Sequence, residues 1–161
     1  MRIIHVDYTS PETQEIVNEL QEYYSQVLGF TYTSIDDTEL NPPSGTFILA
    51  LEGDVVIGCS GYKIHPGNKA ELKKLYAKPA YRGQGVALTM LQSHAYSHGL
   101  TMMTLTTHSF KLPNALSFYR SAGYKKFGHY SKDPPLKMSL PVTPLSKINI
   151  KSIPRFFRLR I

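Results

Sequence analysis

Residues 71–91, ELKKLYAKPAYRGQGVALTML, read as a strand, a glycine-rich turn and the start of a helix. In Arg82-Gly83-Gln84-Gly85-Val86-Ala87 two glycines let the backbone turn sharply and approach a ligand with no Cβ in the way. The first N–H groups of the helix that follows have no internal partner, and the aligned peptide dipoles place about half a positive charge at that end. Such a turn suits a phosphate or pyrophosphate, with Arg82 as a charged donor at its rim. The same residues also make a plain helix cap, so the flanking sequence must choose between the two readings.

Working outward, residues 46–51 and 55–64 are apolar runs separated by Glu52-Gly53-Asp54, short enough for an antiparallel hairpin. His65-Pro66-Gly67-Asn68 turns the chain into a third strand, 70–77, which completes a meander. On the other side of the turn the helix runs to about His98, with Val86, Met90, Leu91 and Ala95 facing inward and Gly99 closing it. The β-branched run 101–107 is then expected parallel to 71–77, because a crossover helix joins parallel strands. Nearer the N-terminus, 2–8 alternates as a strand and Ser10-Pro11-Glu12 opens a helix. Its apolar face is Ile16, Val17, Leu20, Tyr23, Tyr24, Val27 and Leu28, and Gly29 ends it. Residues 30–43 are less regular and carry Asp36, Asp37 and Glu39, as a solvated loop or as the lip of a cleft that attracts cations. Pro113 opens a short helix with Leu112, Ala115, Phe118, Tyr119 and Ala122 at helical spacing, and 124–130 and 136–140 read as a final pair of strands. The expected fold is α/β in the α+β sense: a central, mostly antiparallel mixed sheet with a parallel central pair, flanked by helices.

A chain of 161 residues holds one domain with one sizeable core, here 1–140, followed by a basic C-terminal extension, 141–161. No apolar run approaches the roughly 20 residues that span a bilayer, and MRIIHVDYTSPE lacks a signal peptide's apolar region, so a cytoplasmic protein without a membrane partner is expected. The single cysteine, Cys59, reads as a small apolar strand residue. Of the net charge of +6, five units belong to Lys147, Lys151, Arg155, Arg158 and Arg160 in the extension, which leaves the body near neutral. A basic tail is not the basic face of a nucleic-acid binder, so no nucleic-acid partner is expected. His94 and His98 are four apart on a helix, but no third ligand and no HExxH acid accompany them. They read as polar residues at the negative end of that helix, and no metal is expected.

Three features stand in fixed order: a strand headed by an acid, the RGQGVA turn into a helix, and Asn114-Ala115-Leu116-Ser117-Phe118-Tyr119 with Ala122-Gly123-Tyr124. Together they resemble the GCN5-related N-acetyltransferase (GNAT) superfamily over residues 3–140, and most of all its small bacterial-type members. The pattern (Q/R)xxGx(G/A) is met by Arg82, Gly85 and Ala87, and NAxxFYxxxGY by Asn114 through Tyr124. The resemblance implies an acetyl-CoA cosubstrate whose pyrophosphate sits on the amides of Arg82, Gly83, Gln84, Gly85, Val86 and Ala87. It also implies a strand that splays from its neighbour, so that Leu75, Tyr76 and Ala77 pair with the pantetheine arm, with Asn114, Phe118 and Tyr119 also on the cofactor.

By the same resemblance Tyr119 is the general acid for the departing thiolate, unless it is only a core tyrosine, and a backbone amide near Tyr76 polarises the thioester. An attacking amine must lose a proton, and Glu71 is the candidate base, with partial burial expected to raise its pKa. Its alternative is an exposed strand-end acid. His108, just past the strand that borders the cleft, is the histidine placed to touch cofactor or acceptor. The expected reaction is direct attack of a primary amine on the thioester, the acceptor being a small amine, a polyamine or a lysine or peptide amine. Asp36, Asp37, Glu39 and Glu71 hint that it is cationic. Rival readings are a catalytically silent acyl-CoA-binding regulatory module and a nucleotide phosphate binder; the second lacks the Lys-Ser/Thr that follows a P-loop turn. Exposed sheet edges would allow a homodimer.

Overall fold

Strand β4 (Lys69–Ala77) and strand β5 (Met102–His108) run parallel, as the intervening helix α2 (Val86–Ser97) requires. Around them lie β1 (Arg2–Val6), α1 (Pro11–Leu28), β2 (Gly45–Glu52), β3 (Val55–His65), α3 (Pro113–Ser121), β6 (Lys125–His129) and β7 (Pro135–Pro141). These are the elements of a computed structural model that describes residues 1–29, 38–97, 99–108, 111–129 and 135–142. The seven strands form one mixed sheet in the order β1-β2-β3-β4-β5-β7-β6, antiparallel at every junction except β4 with β5. The expected meander is β2-β3-β4, and the last strand, β7, inserts between β5 and β6.

Helix α1 forms where the sequence signals place it. Ser10 Oγ accepts from Thr13 N at 3.4 Å, Pro11 supplies a helix-ready φ, and Gly29 ends the helix at φ 76° with its N–H on Ser25 O. Ile16, Val17 and Leu20 then bury against Phe47, Leu49, Cys59 and Tyr76 on one side of the sheet. On the other side Val86 and Met90 pack on Ile48, Ala50 and Ile57, while Leu91, Tyr119 and Tyr124 pack with Leu72, Met103, Leu105 and Met138. The sheet is thus covered on both faces, and β2 reads as a nearly unbroken buried run for that reason.

Several expectations need correction. The first strand stops at Val6 rather than at Tyr8, because the Asp7 carboxylate accepts from the Thr9 amide (2.7 Å), the Thr9 hydroxyl (2.6 Å) and Asn41 Nδ2 (2.9 Å) and turns the chain toward α1. His94 lies in the last turn of α2 as expected, but it is buried in the core, edge-on to Tyr62 with ring centroids 4.8 Å apart. Cys59 is buried as expected, and burial pushes its thiol well above the ordinary range. Asp36, Asp37, His98 and residues 143–161 lie outside the described residues, as does the side chain of Ala95.

Two irregularities shape the strand that matters. The β3 to β4 register shifts between Cys59 and Gly61, and on the facing stretch Lys74 adopts φ 52°, a left-handed conformation for a side-chain-bearing residue. Gly58 allows close approach beside this bulge: a Cβ there would lie 2.7 Å from Tyr76 O and 3.1 Å from both Met90 Cε and Val86 Cγ1. The backbone oxygen has nowhere to retreat without moving β4 against α2. Gly58→Ala is therefore expected to lower stability by about 1–3 kcal/mol, read as a fall in urea midpoint without a change in m-value.

Candidate active site

The parallel pairing that joins the two halves of the sheet is only three residues long: Lys69 with Met102, Ala70 with Met103 and Glu71 with Thr104. Thr104 Oγ1 donates to Ala70 O at 3.1 Å and closes the vertex. Beyond Glu71 the strands diverge, and the backbone edge of β4 that faces β5 carries no strand from Leu72 to Ala77. An extended ligand can take the place of a strand there. The space between is a cleft of about 1290 Å³, walled by β4, the glycine turn, the end of β5, the start of α3 and the Leu20, Tyr23, Tyr24 and Leu28 side of α1.

Almost all of the residues selected from sequence meet in this cleft. Glu71, Leu75, Tyr76, Ala77, Arg82, Gly83, Gly85, Val86, Ala87, Asn114, Phe118 and Tyr119 line it, as does His108. Gln84 does not: its Nε2 donates to Ala80 O at 3.0 Å, so its side chain braces the turn from outside. Gly83 and Gly85 take φ 76° and 84°, the left-handed conformation for which the two glycines were needed. The first helical bond of α2 is Thr89 N to Gly85 O at 2.9 Å, so the amides immediately before Thr89 have no helical carbonyl to reach and turn toward the cleft end of the helix. Arg82 is more constrained than a rim cation. Its Nε donates to Ala77 O at 3.0 Å, and its guanidinium carbon lies 4.6 Å from the centroid of the Tyr23 ring.

Tyr119 is buried at the cleft wall, edge-on to Phe118 (5.4 Å) and Tyr124 (5.6 Å). Burial first, and the neighbouring Tyr124 second, push its hydroxyl well above the ordinary tyrosine range, so it holds its proton throughout neutral pH. Glu71 departs from expectation. Burial alone would raise its pKa, but Lys73 Nζ donates to Oε1 at 2.7 Å and His65 Nε2 lies 3.4 Å from Oε2. The pairing outweighs desolvation and holds the carboxyl below the ordinary range. The acidic rim is also reduced: among the described residues Glu39 is held by Lys63, which neutralises it.

Sequence reading missed the α1 wall and its attachments. Tyr23 and Tyr24 read only as core positions, Lys111 was not singled out although its Nζ donates to Leu28 O at 2.6 Å, and nothing in the local sequence marks the positive φ of Lys74. Among the described residues no group of three or more His, Cys, Asp or Glu side chains forms a cation site, and no helix is long and apolar enough to cross a membrane.

A short parallel junction that opens into a cleft walled by the glycine turn and the start of α3 is the arrangement of a GNAT-type acetyltransferase. The sequence profile of the Acetyltransferase (GNAT) family matches residues 10–124, and the chain belongs to that family. The fold is shared with an acetyltransferase of the GNAT family from Staphylococcus aureus Mu50, at 16% identity over 88% of this chain and 100% of that one, TM-score 0.73. It is shared as well with an acetyltransferase from Thermus thermophilus, at 15% identity over 88% and 97% of the two chains, TM-score 0.70. An aminoglycoside 6'-N-acetyltransferase complexed with coenzyme A superposes at TM-score 0.69, with 18% identity over 89% of this chain and 98% of that one. No functionally curated protein matches the chain.

The Glu71 pairing has a thermodynamic signature. A carboxyl whose pKa is lowered in the folded state contributes stability above its unfolded value, near 4.5, and loses it as pH falls through the folded value. Glu71→Gln should therefore melt below the parent at pH 7, and the gap should close as the pH is lowered from 4.5 into the acid range, measured by thermal melts across pH.

Proposed function

We propose that the protein is an acetyl-CoA-dependent N-acetyltransferase that moves the acetyl group to a primary amine, on a small amine, a polyamine or a lysine or peptide side chain, by direct attack on the thioester. The observation that carries this reading is the three-residue β4–β5 junction, which opens a cleft lined at once by the anion turn, Asn114, Tyr119 and Glu71. When bound, acetyl-CoA supplies an activated acyl thioester. The residues present fit it: a glycine turn with unpartnered helix-start amides suits its pyrophosphate, and the open β4 edge suits its amide-bearing arm.

The roles of the chain's own groups follow from their chemistry. The amides of Gly83, Gly85, Val86 and Ala87 and the Arg82 guanidinium hold the anion, while Leu75, Tyr76 and Ala77 offer backbone donors and acceptors along the arm. Phe118 contributes apolar wall and Asn114 an amide at the exposed start of α3. An N–H on the open stretch of β4, with Tyr76 the nearest candidate, stabilises the carbonyl oxygen as it gains negative charge. Tyr119, kept protonated by burial, donates to the departing sulfur. Glu71, held ionised at neutral pH, binds the incoming ammonium; once that has given one proton to solvent, the free amine attacks and Glu71 takes the second proton from its nitrogen, with Lys73 displaced from Oε1. A carboxylate held this low does not set the rising limb of a neutral pH profile; deprotonation of the amine does.

The test is release of free thiol from acetyl-CoA with a panel of small amines, polyamines and lysine peptides. Tyr119→Phe should lower kcat by about 100-fold at unchanged acetyl-CoA affinity. Glu71→Gln should lower kcat/KM for the amine with the rising limb of the profile unmoved. Binding of coenzyme A without thiol release to any amine would replace this reading by the silent acyl-CoA-binding module.

A further inference from the structure

The anion turn does not stand alone in the fold; helix α1 grips it at two points. Glu19 and Tyr23 are four residues apart on α1 and so share a face, and Lys78 and Arg82 are four apart in the segment that leads out of β4. Lys78 Nζ pairs with Glu19 Oε1 at 2.9 Å. The Arg82 guanidinium carbon lies 4.6 Å from the Tyr23 ring centroid and 5.8 Å from that of Tyr76, and the two rings are 6.0 Å apart. Both cation–ring distances are within the range of cation–π attraction. A third restraint, Arg82 Nε on Ala77 O at 3.0 Å, fixes the plane of the guanidinium.

We infer that Tyr23 is a positioning residue for coenzyme A: its ring holds the Arg82 guanidinium in place, so that the turn meets the pyrophosphate with a cation already oriented. This rests on the reading of the cleft as an acetyl-CoA site. The physical reason is preorganisation. An exposed arginine on a free stem loses conformational freedom when it clamps a ligand, and that loss weakens binding. Stacked on Tyr23 and tied to Ala77 O, Arg82 has lost that freedom in the folded protein, while its planar head still carries N–H groups beyond the one on Nε. Tyr23 therefore acts through Arg82 on the phosphate end of the cofactor and has no part in the chemistry at the thioester. The arrangement also fixes a direction of coupling. Because Glu19 and Tyr23 face the same segment, a displacement of α1 would disturb the phosphate end of the cleft while leaving the three-residue vertex at Glu71 paired.

Calorimetric titration with coenzyme A tests this without knowledge of the acceptor. Tyr23→Leu should raise the Kd for coenzyme A about threefold to tenfold, the range of a partly exposed cation–π contact, and Tyr23→Phe, which keeps the ring face, should restore it to within about twofold. In the double variant with Arg82→Gln, Tyr23→Leu should add nothing to the effect of Arg82→Gln alone. In turnover assays KM for acetyl-CoA should rise at constant kcat, and kcat/KM for S-acetylpantetheine, which has no pyrophosphate, should not move. Equal losses for both donors, or additive losses in the double variant, would show a merely structural tyrosine and overturn the inference; so would a coenzyme A affinity unchanged in Tyr23→Leu. If that variant does not fold, Tyr23→Met fills the space and is read by the same criteria. A parent protein that does not bind coenzyme A would overturn the acetyl-CoA reading itself, which a bound parent with an indifferent Tyr23→Leu would not.

Discussion

Everything in this molecule depends on where β4 and β5 stop pairing. Three residue pairs are enough to hold the two halves of the sheet in register, and the fourth is missing. Had the ladder continued, the backbone groups of residues 72–77 would have been satisfied by β5, and no cleft would exist. Because it stops, a row of main-chain donors and acceptors faces a cavity, an arrangement that a folded protein normally covers or blocks. The bulge opposite Cys59 and Gly61, with Lys74 in a left-handed conformation, lies on the same stretch. Strain and open edge coincide on the strand where chemistry is proposed, as expected where backbone geometry is held away from its local optimum by the surrounding packing.

Charge in the cleft is distributed differently from what residue types suggest. Glu71, which lines the cleft, is already engaged by Lys73 and His65, and outside the lining Glu39 is engaged by Lys63 and Glu19 by Lys78. Arg82 at the glycine turn is likewise tied down, by Ala77 O and the Tyr23 ring. A ligand that binds Glu71 or Arg82 therefore exchanges one partner for another, which costs less than gathering bare charges in a half-buried space.

The two faces of the sheet divide the work. On the α1 side the packing of Ile16, Val17 and Leu20 on β2 and β3 fixes the helix whose Tyr23 and Glu19 reach the turn. On the α2 side Val86 and Met90 press into the space left by Gly58, which brings the start of α2 close to β4. The turn is thus held from both sides, and the rigidity of two separate cores is transmitted to it.

What the sequence determined by itself is everything with a local cause. Residues 82–87 need positive φ at Gly83 and Gly85, Ser10-Pro11 and Gly29 delimit α1, and the crossover helix makes β4 and β5 parallel. The motifs at Arg82, Gly85 and Ala87 and at Asn114 through Tyr124 carried the family, because each encodes a backbone requirement or a helix face. What only the tertiary structure decided is which side chains meet, whether they are near in the chain, as around Glu71, or far apart. That Glu71 is held acidic by Lys73 and His65, that His94 is buried against Tyr62, and that Tyr23 stacks on Arg82 from a distant helix depend on which faces meet once the sheet is formed. The periodicity of α1 marks Tyr23 as facing inward, but no local rule says that what it faces is a cation, since that partner is delivered by the packing of α1 on β4.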